Sequence, residues 1–434
     1  MTSVNVRELV LDILMEVNEK EQYSHLVIRD VLNKYQYLEK QERAFLTRLA
    51  EGTIEHMLEM DFIINSFSKV KVKKMKPLIR NLLRMSVYQI KYMDAIPDAA
   101  VCNEAVKLAK KRGFGQLRGF VNGVLRNIAR ELPRLQYPDE RLEPVRFIEV
   151  NYSVPAWMAE QWIADYGMEK TKKICESFLV ERPITIRTNL MRIRPEELKA
   201  KLEAEGVTVN EVPALSYAFE IKGFDYLQSL ESFEEGLFYV QDISSMMVAE
   251  LAAPEQNSYI IDVCAAPGGK SSHLAEKMLG TGTVEARDLT EYKVSLIEEN
   301  IERHGLGNMK AVQMDAAILD EASIGKADVL ICDLPCSGLG VMGKKTDIRY
   351  KMTPEKQQDL VQLQREILTT VHAYVKEGGT LVYSTCTIHK GENEGNIEWF
   401  LKEHPEFVLE FMEQMFPGET YHDGFFIAKL VRRA

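Results

Sequence analysis

The fold class follows from one segment of the chain, Ile260-Ile-Asp-Val-Cys-Ala-Ala-Pro-Gly-Gly-Lys270. It begins as a short apolar run, as expected of a buried strand, and passes into a glycine-rich turn before a predicted helix. Because glycine has no Cβ, Gly268 and Gly269 allow a tight turn and let a ligand approach the backbone. In an open α/β sheet, such a turn at the carboxyl end of a strand predicts a cofactor site.

Two phosphate-binding patterns do not fit this turn. A Walker A loop needs glycine where Cys264 stands, and the pattern G-x-G-x-x-G is absent. The turn therefore indicates a cofactor site of another kind.

Short apolar runs alternate with helical stretches from about residue 236 onward. The runs at residues 283–286, 311–314, 329–332 and 380–383 are predicted strands, and helices are predicted over 292–304 and from about 354 to 375. Repeated strand–helix units predict a Rossmann-like parallel sheet with helices on both faces. The run at residues 424–431 is predicted as a final, antiparallel edge strand.

The rest of the chain predicts two further modules. Residues 1–132 read as all-helical, because apolar residues such as Val10, Ile13, Leu14 and Val17 recur at helical spacing. Residues 140–235 mix helical stretches with strand-like runs and predict a small α+β module. We therefore predict a multidomain protein: an all-α domain (1–138), linker helices with an α+β module (139–235) and an α/β domain (236–434).

The charge distribution points to a polyanionic partner. The formal net charge is −11, yet residues 61–130 hold fifteen Lys/Arg and four Asp/Glu, a net charge of +11. The basic residues include a lysine run over 69–76 and the cluster Lys110, Lys111 and Arg112. A basic helical part joined to an acidic remainder favours local binding of nucleic acid, although a solvated helix face is the alternative for any one lysine run.

Composition also limits the compartment and the metal chemistry. The first residues lack the apolar core of a signal peptide, and no run approaches 18 apolar residues, so we expect a cytoplasmic protein with no membrane association. The six cysteines form no C-x-x-C pair and no zinc-ligand pattern. We therefore expect reduced thiols and no metal cofactor, with a monomer as the default state.

Carboxylates follow two of the predicted strands after the glycine-rich turn. Asp288 lies about twenty residues beyond the turn, where an acid can accept hydrogen bonds from ribose hydroxyls, although a helix cap is the alternative. By the same reasoning, Asp315 points to the adenine edge of a cofactor.

Two cysteines come directly after buried strands. They lie in the segments Asp333-Leu-Pro-Cys336-Ser-Gly338 and Ser384-Thr-Cys386. A single cysteine is usually a small buried apolar residue, and we apply that interpretation to Cys102, Cys175 and Cys332. Two thiols and a carboxylate at the ends of adjacent strands instead predict a reactive site beside the cofactor turn.

These segments together resemble one known family. Residues 236–434 resemble the RsmB (Sun/Fmu) family of bacterial 16S rRNA cytosine-C5 methyltransferases. The matching pieces are the segment 262–270, the two cysteine segments, Gln241-Asp242 with Ser244-Ser245, and Asn393-Glu394. Residues 1–135 resemble the NusB-like RNA-binding domain of this family, through Arg43-Ala-Phe-Leu, Asn103-Glu-Ala-Val and the run Phe120–Asn127. The sequence departs from the family at Thr346, where proline is usual, and this bears on substrate contacts of that loop.

The resemblance implies a reaction and a role for each site residue. S-adenosylmethionine would be the methyl donor, Cys386 the nucleophile at carbon 6 of cytosine, Cys336 the residue that assists release, and Asp333 a group facing the base. DNA cytosine methyltransferases use the cysteine after proline instead, so the residues alone leave the two thiol roles open. The implied cofactor pocket comprises Cys264, Ala265, Ala266, Pro267, Gly268, Gly269, Lys270, Asp288, Asp315 and Asp333. Lys270 contacts either Asp333 or the cofactor in this interpretation.

Three other functions are alternatives to methylation of 16S rRNA. A tRNA cytosine-C5 methyltransferase would share the chemistry and is disfavoured only by the NusB-like domain. An RNA-binding protein without catalysis is disfavoured because Cys336 and Cys386 are both present. A methyltransferase acting on an exocyclic amine typically carries Asn/Asp-Pro-Pro-Tyr where Asp333-Leu-Pro-Cys336 stands here.

Overall fold

The computed structural model describes residues 4–180, 183–419 and 422–433. The chain forms two compact units. We call Met1–Leu179 with Met342–Met352 the helical unit, and Val180–Val341 with Thr353–Ala434 the α/β unit.

The helices and strands follow the predicted order of modules. In chain order the helices are α1 (Val6–Glu19), α2 (Ser24–Lys34), α3 (Lys40–Glu55), α4 (Met57–Phe67), α5 (Pro77–Tyr92), α6 (Asp98–Lys111), α7 (Arg118–Glu131), α8 (Pro144–Tyr152), α9 (Ala156–Tyr166), α10 (Met168–Phe178), α11 (Pro195–Ala204), α12 (Glu231–Glu234), α13 (Ile243–Ala252), α14 (Gly269–Lys277), α15 (Glu291–His304), α16 (Ile348–Lys351), α17 (Pro354–Val371) and α18 (Glu394–Glu403). The strands are β1 (Ile184–Thr188), β2 (Thr208–Glu211), β3 (Ala218–Lys222), β4 (Phe238–Val240), β5 (Tyr259–Asp262), β6 (Thr283–Asp288), β7 (Met309–Gln313), β8 (Ala327–Asp333), β9 (Val375–Thr385), β10 (Phe407–Met415) and β11 (Phe425–Arg432).

The helical unit packs around α5, which is buried over most of its length. Pro77 begins this helix at a position where its missing N–H costs nothing and its fixed φ suits the helix. The polar groups that α5 buries have partners, and Arg84 donates two hydrogen bonds of 2.7 Å to the carboxylate of Asp61. The apolar stripe predicted on α1 is buried as expected, including Val10 and Leu14 at 0% exposure. The prediction of an all-helical amino-terminal part is confirmed.

A segment from late in the sequence completes the helical unit. Within Met342–Met352, the buried carboxylate of Asp347 accepts hydrogen bonds from the backbone N–H (3.1 Å) and hydroxyl (2.6 Å) of Ser24, and pairs with Lys351. Arg349, 1% exposed, donates to the carbonyl of Tyr152 at 2.9 Å. Thr346, where the sequence departs from the family, immediately precedes this anchor, so the loop around it belongs to the helical unit.

The α/β unit begins with a small antiparallel sheet in the order β2-β3-β1-β4. Its apolar face carries Ile186, Phe219 and Phe238, which pack with Leu198 and Leu202 of α11. The strand β4 lies beyond residue 235, so the sheet takes its last strand from residues that we assigned by sequence to the following domain.

The second sheet has seven strands in the order β10-β11-β9-β8-β5-β6-β7. The strands β5 to β9 pair in parallel, as predicted for a Rossmann-like sheet. The last strand, β11, is antiparallel as predicted, but its predicted place at the edge is wrong, because β11 lies between β9 and β10 and pairs with both. The edge strand on this side of the sheet is β10, which sequence analysis missed because its solvent-facing residues break the alternation of apolar and polar side chains.

The parallel strands bring several polar residues to one edge of this sheet. β5 ends at Asp262, β6 at Asp288, β8 at Asp333 and β9 at Thr385. In doubly wound sheets, ligands bind outside the carboxyl ends of the strands. Among the described helices, none has the length and apolar composition that crossing a membrane requires.

Candidate active site

Two thiols meet where β8 and β9 end. The strands pair in parallel with Asp333 opposite Ser384, whose hydroxyl donates to Oδ1 of Asp333 at 2.7 Å. The loops that follow place Sγ of Cys336 and Sγ of Cys386 3.4 Å apart, both half-buried. The two cysteines and the carboxylate that the sequence singled out are therefore brought together.

The surroundings of Cys336 favour its neutral thiol. The hydrogen bond with Cys386, then burial, then the charges of Cys386 and Glu392 raise the pKa of Cys336 well above its ordinary value. Thiolate is the reactive form of cysteine, so these surroundings keep Cys336 in its less reactive form.

Lys270 places a positive charge beside this pair. Its ammonium lies 2.7 Å from Oδ2 of Asp333. Burial lowers the pKa of Lys270, but the carboxylate of Asp333 outweighs it and negative charge at Cys386 adds to the effect, so the pKa is raised. The contact that sequence analysis left open is thus with Asp333, and the ammonium also favours a thiolate at Cys386.

A buried carboxylate holds the loop that carries Cys336. Glu392 is 0% exposed and accepts hydrogen bonds from the backbone N–H of Ser337 (2.9 Å), from the Ser337 hydroxyl (2.5 Å) and from the side-chain amide of Gln364 (3.0 Å). A carboxylate so satisfied fixes the backbone directly after Cys336. Sequence analysis missed this residue, since its only signal is a glutamate six residues after Cys386.

Cys386 is held on both sides by Asn393. The amide oxygen of Asn393 accepts from the hydroxyl of Thr385 at 2.6 Å, and its NH₂ group donates to the carbonyl of Thr387 at 3.0 Å. The carbonyl of Cys386 itself accepts from the backbone N–H of Gly340 at 3.0 Å. The backbone on both sides of Cys386 is therefore held by hydrogen bonds.

Gly340 sits at a backbone crossing that only glycine permits. The backbone N–H of Gly424 donates a hydrogen bond of 2.9 Å to the carbonyl of Gly340. A Cβ on Gly340 would lie 2.0 Å from the carbonyl oxygen of Gly424. The loop after Cys336 and the turn before β11 thus approach each other against Cys386.

The glycine-rich turn is closed by hydrogen bonds from the strand ends. Gly268 has a φ of +102°, a conformation that suits glycine, and α14 begins at Gly269. Asp262 is 1% exposed and accepts from the Ser271 hydroxyl at 2.5 Å, which ties β5 to the start of α14. Burial raises the pKa of Asp262 to about 7.

Asp288 links the turn to β6. Its Oδ2 accepts from the backbone N–H of Ala266 (2.9 Å), while Oδ1 accepts from the N–H of Leu289 (2.8 Å) and from Lys293 (2.9 Å). A carboxylate accepts about four hydrogen bonds, so one position remains for a ligand hydroxyl. Asp315, predicted for the same pocket, accepts from the N–H of Ala317 at 2.9 Å and shapes the turn after β7.

The remaining cysteines are built into the fold. Cys102, Cys175 and Cys332 are buried, as predicted for structural residues. Burial first, and neighbouring carboxylates second, raise the pKa of Cys264 far above its ordinary value, so it contributes a neutral thiol to the turn.

The residues around the turn suit a cationic ligand that carries hydroxyl groups. Asp288 ends β6, Asp315 follows β7 and Asp333 ends β8, and carboxylates disfavour the phosphates of a nucleotide while they stabilise positive charge. S-adenosylmethionine, a sulfonium with a ribose, has this chemistry, so the residues fit the expected donor. A separate group of potential metal ligands comes from the residues just before β9 (His372) and just before β10 (His404 and Glu406).

Family models match most of the chain. Residues 249–431 match 16S rRNA methyltransferase RsmB/F, residues 4–130 match the NusB family, and residues 154–224 match the RsmF/B-like methyltransferase ferredoxin-like domain.

Relatives and solved structures agree with these matches. The chain is 37% identical to a probable ribosomal RNA small subunit methyltransferase B of Bacillus subtilis (strain 168), over the full length of both chains. It is 31% identical to the protein of that name in Synechocystis, over 98% of this chain and 99% of the relative. The crystal structure of PH0851 covers 99% of both chains with a TM-score of 0.83 and 27% identity. NSun6 from Pyrococcus horikoshii, solved with SFG, covers 63% of this chain and is itself covered to 97%, with a TM-score of 0.58 and 25% identity.

Proposed function

The chain belongs to the RsmB/F family of 16S rRNA methyltransferases, and from this we propose that it methylates carbon 5 of a specific cytidine in 16S rRNA. Carbon 5 of cytosine is a poor nucleophile until a thiolate adds to carbon 6. S-adenosylmethionine supplies an electrophilic methyl group when it is bound. The chain must therefore provide a thiolate, a partner for the polar edge of the base and a group that removes the carbon-5 proton.

Cys386 is the proposed nucleophile. Its Sγ forms a bond to carbon 6, and the electrons of the ring double bond make carbon 5 able to accept a methyl group. The observation that supports this assignment is the contact between the two thiols, 3.4 Å apart beside Asp333 and its partner Lys270, and the family resemblance decides which thiol attacks. Lys270 adds a positive charge that stabilises the Cys386 thiolate.

Cys336 is the proposed base in the release step. Its Sγ lies 3.4 Å from that of Cys386, so it stays beside the base when Cys386 is bonded to carbon 6. Cys336 first loses its own proton to solvent, and the resulting thiolate accepts the proton on carbon 5. Loss of that proton restores the ring double bond and breaks the bond between Sγ of Cys386 and carbon 6.

Asp333 is proposed to hold the polar edge of the base. Its oxygens accept one hydrogen bond from Ser384 and one from Lys270, which leaves acceptor positions for the exocyclic amine of cytosine. The base must leave its stack to reach this edge of the sheet, as for other enzymes that modify a base.

The proposed division of labour follows the predicted domains. Residues 1–138 bind rRNA, residues 139–235 contribute the small α+β module, and residues 236–434 bind S-adenosylmethionine and transfer the methyl group. The proposed cofactor pocket is the turn over residues 264–270 with Asp288, Asp315 and Asp333.

Trapping of a covalent adduct tests the proposal. Cys336→Ala should accumulate an RNase-sensitive protein–RNA adduct when it is incubated with unmethylated 16S rRNA and S-adenosylmethionine, and Cys386→Ala in the same chain should abolish it. Cys102→Ala, which changes a buried thiol of the helical unit, is the matched control and should turn over without an adduct.

Three outcomes contradict parts of the proposal. An adduct with Cys386→Ala but not with Cys336→Ala would reverse the two thiol roles. Methylated nucleosides that carry the methyl group elsewhere than carbon 5 would overturn the reaction. Transfer to tRNA but not to 16S rRNA by the unaltered protein would overturn the substrate.

A further inference from the structure

Two adjoining hollows lie along one face of α7 in the helical unit. The first, of about 500 Å³, is lined by residues of α6 and α7, including Asn103, Lys107 and Arg118. The second, of about 620 Å³, extends from α7 to the loop after α4, where Lys69 lies. Gly119 and Arg126 line both, so the hollows form one continuous groove, which we call the α7 groove.

The floor of the α7 groove carries glycines that the fold does not need. Gly119 and Gly123 lie one turn apart on the exposed face of α7, and a Cβ on either would have no atom within 4 Å. Neither packing nor backbone conformation therefore excludes alanine. Glycine inside a helix lowers the stability of the helix relative to alanine, and no contact in the fold requires glycine at these two positions. A ligand that approaches the helix backbone closely would explain why glycine is present.

The walls of the α7 groove carry positive charge, of which Lys107 is paired with Glu104. Arg118, Arg126 and Arg130 are exposed and spaced by multiples of four residues, which aligns them on one side of α7. Arg130 pairs with Glu131 at 2.7 Å. Within the part of the chain that the structure describes, Arg118 and Arg126 form no ion pair.

The basic cluster at the end of α6 differs in this respect. Lys111 pairs with Glu8 at 2.6 Å, and Arg112 pairs with Asp12 at 2.6 Å. These two side chains, which sequence analysis singled out for nucleic-acid binding, are therefore already engaged with α1. Lys111 and Arg112 are therefore less available to a ligand than Arg118 and Arg126 of α7.

We propose that the α7 groove binds the phosphate backbone of rRNA, an inference that rests on the proposed function of the chain. A strand of RNA has repeated negative charge that matches the arginines, and its backbone can lie close to a helix face that lacks side chains. Amide groups of Asn103 and Asn122 lie in the same groove and can hydrogen-bond phosphate or sugar oxygens. The half-buried ring of Phe120 in the second hollow offers an apolar surface beside the strand.

Substitution of the glycines separates binding from stability. The double variant Gly119→Ala and Gly123→Ala should raise the thermal midpoint of the full chain by about 2 °C, because alanine favours the helix. The same variant should bind a 16S rRNA transcript about 3–10-fold more weakly, since the methyl groups hold the strand away from the helix. If the two glycines had only a structural role, their substitution would not raise the thermal midpoint and weaken RNA binding at the same time.

Charge substitutions supply the matched comparison. Arg118→Gln with Arg126→Gln should lower the slope of log affinity against log salt concentration by about 2, one for each lost phosphate contact. Lys111→Gln with Arg112→Gln removes the same charge from a neighbouring surface and should leave that slope near the unaltered value.

Binding is measured on the transcript without S-adenosylmethionine, so the result does not depend on methyl transfer. Failure of the adduct experiment would overturn the proposed reaction and leave the binding data standing. The inference is overturned if the alanine variant binds the transcript like the unaltered chain. It is also overturned if the Lys111 and Arg112 changes weaken binding as much as the Arg118 and Arg126 changes, or if polyglutamate competes as well as RNA.

Discussion

Glu392 positions Cys336 although it lies 56 residues later in the sequence. The substitution Glu392→Gln keeps the size of the side chain but removes the charge that helps to raise the pKa of Cys336, and it places an NH₂ group where a carboxylate accepted two bonds. We expect kcat to fall about 10-fold, a loss of roughly 1.4 kcal/mol, while KM for rRNA stays unchanged.

Steady-state kinetics over a pH series check this effect. The pH at which the release step reaches half of its maximal rate should be lower in this variant, because Cys336 loses its proton more easily without the negative charge of Glu392. Glu398→Gln changes an exposed glutamate of α18 and should behave like the unaltered protein. An equal fall for both variants would show that Glu392 has no particular role.

Asp262 links pH to the stability of the glycine-rich turn. Its pKa is raised to about 7 by burial, above its ordinary value of 3.8, so folding favours the protonated carboxyl group. The stabilisation by this group is therefore full below about pH 4 and is lost as pH rises through 7.

The variant Asp262→Asn should remove this dependence. The difference in free energy of unfolding between the variant and the unaltered chain should change in favour of the variant by about 2 kcal/mol as the pH rises from 5 to 8. Denaturant titrations at both values measure the change, and the exposed Asp359→Asn should show none. An improvement that is independent of pH would contradict the assignment to Asp262.

The loop after β8 works as one element with the turn before β11. Because a Cβ on Gly340 would lie 2.0 Å from the Gly424 carbonyl oxygen, Gly340→Ala must displace one of these backbones and with it the hydrogen bond to the Cys386 carbonyl. We expect activity to fall at least about 100-fold, since a shift of about 1 Å at a reacting group has effects of this size.

Adduct formation measures whether Cys386 is displaced. The Gly340→Ala variant should retain its affinity for rRNA, which shows that it is folded, but form adduct slowly. Gly307→Ala is the control, because a Cβ there meets nothing within 4 Å. Normal adduct formation by Gly340→Ala would mean that the crossing does not hold the nucleophile.

Elements with strong local patterns were predictable from the sequence, and those defined by distant pairing were not. The runs that became β5, β8 and most of β9 are apolar because parallel strands inside a sheet are buried on both faces. The edge strand β10 faces solvent on one side and lacks such a run, so β11 was assigned to the wrong place in the sheet.

The same contrast applies to the site. Cys336, Cys386 and Asp333 stand at strand ends, where the fold itself predicts that they meet. Glu392 and Gly340 act through contacts between segments that are far apart in sequence, and no local pattern marks such contacts. The assignment of the two thiol roles came from the family resemblance, and it stays a prediction until adducts are mapped.

The helical unit depends on a single buried carboxylate of the late segment. Asp347→Ala would leave the backbone N–H and hydroxyl of Ser24 without a partner and Lys351 without its ion pair. We expect a loss of about 2–4 kcal/mol in the free energy of unfolding of this unit.

Tryptophan fluorescence can follow this unit separately. Trp157 and Trp162 lie in α9 of the helical unit, whereas Trp399 lies in the α/β unit, so a Trp399→Phe background reports the helical unit alone. The exposed Asp30→Ala is the control and should leave the transition in place. A transition unchanged by Asp347→Ala would contradict this role of the segment.

The discontinuity of the helical unit has a consequence for how the chain is made. After Leu179 is added, the ribosome must add 162 further residues before it adds Met342, which takes about 10–30 s at typical bacterial rates. During that interval the hydrogen-bond partners of Ser24 and Tyr152, which are Asp347 and Arg349, have not been synthesised. The amino-terminal helices therefore reach their final packing only after the loop with Cys336 has left the ribosome, and translation itself delays completion of the helical unit until most of the catalytic sequence exists.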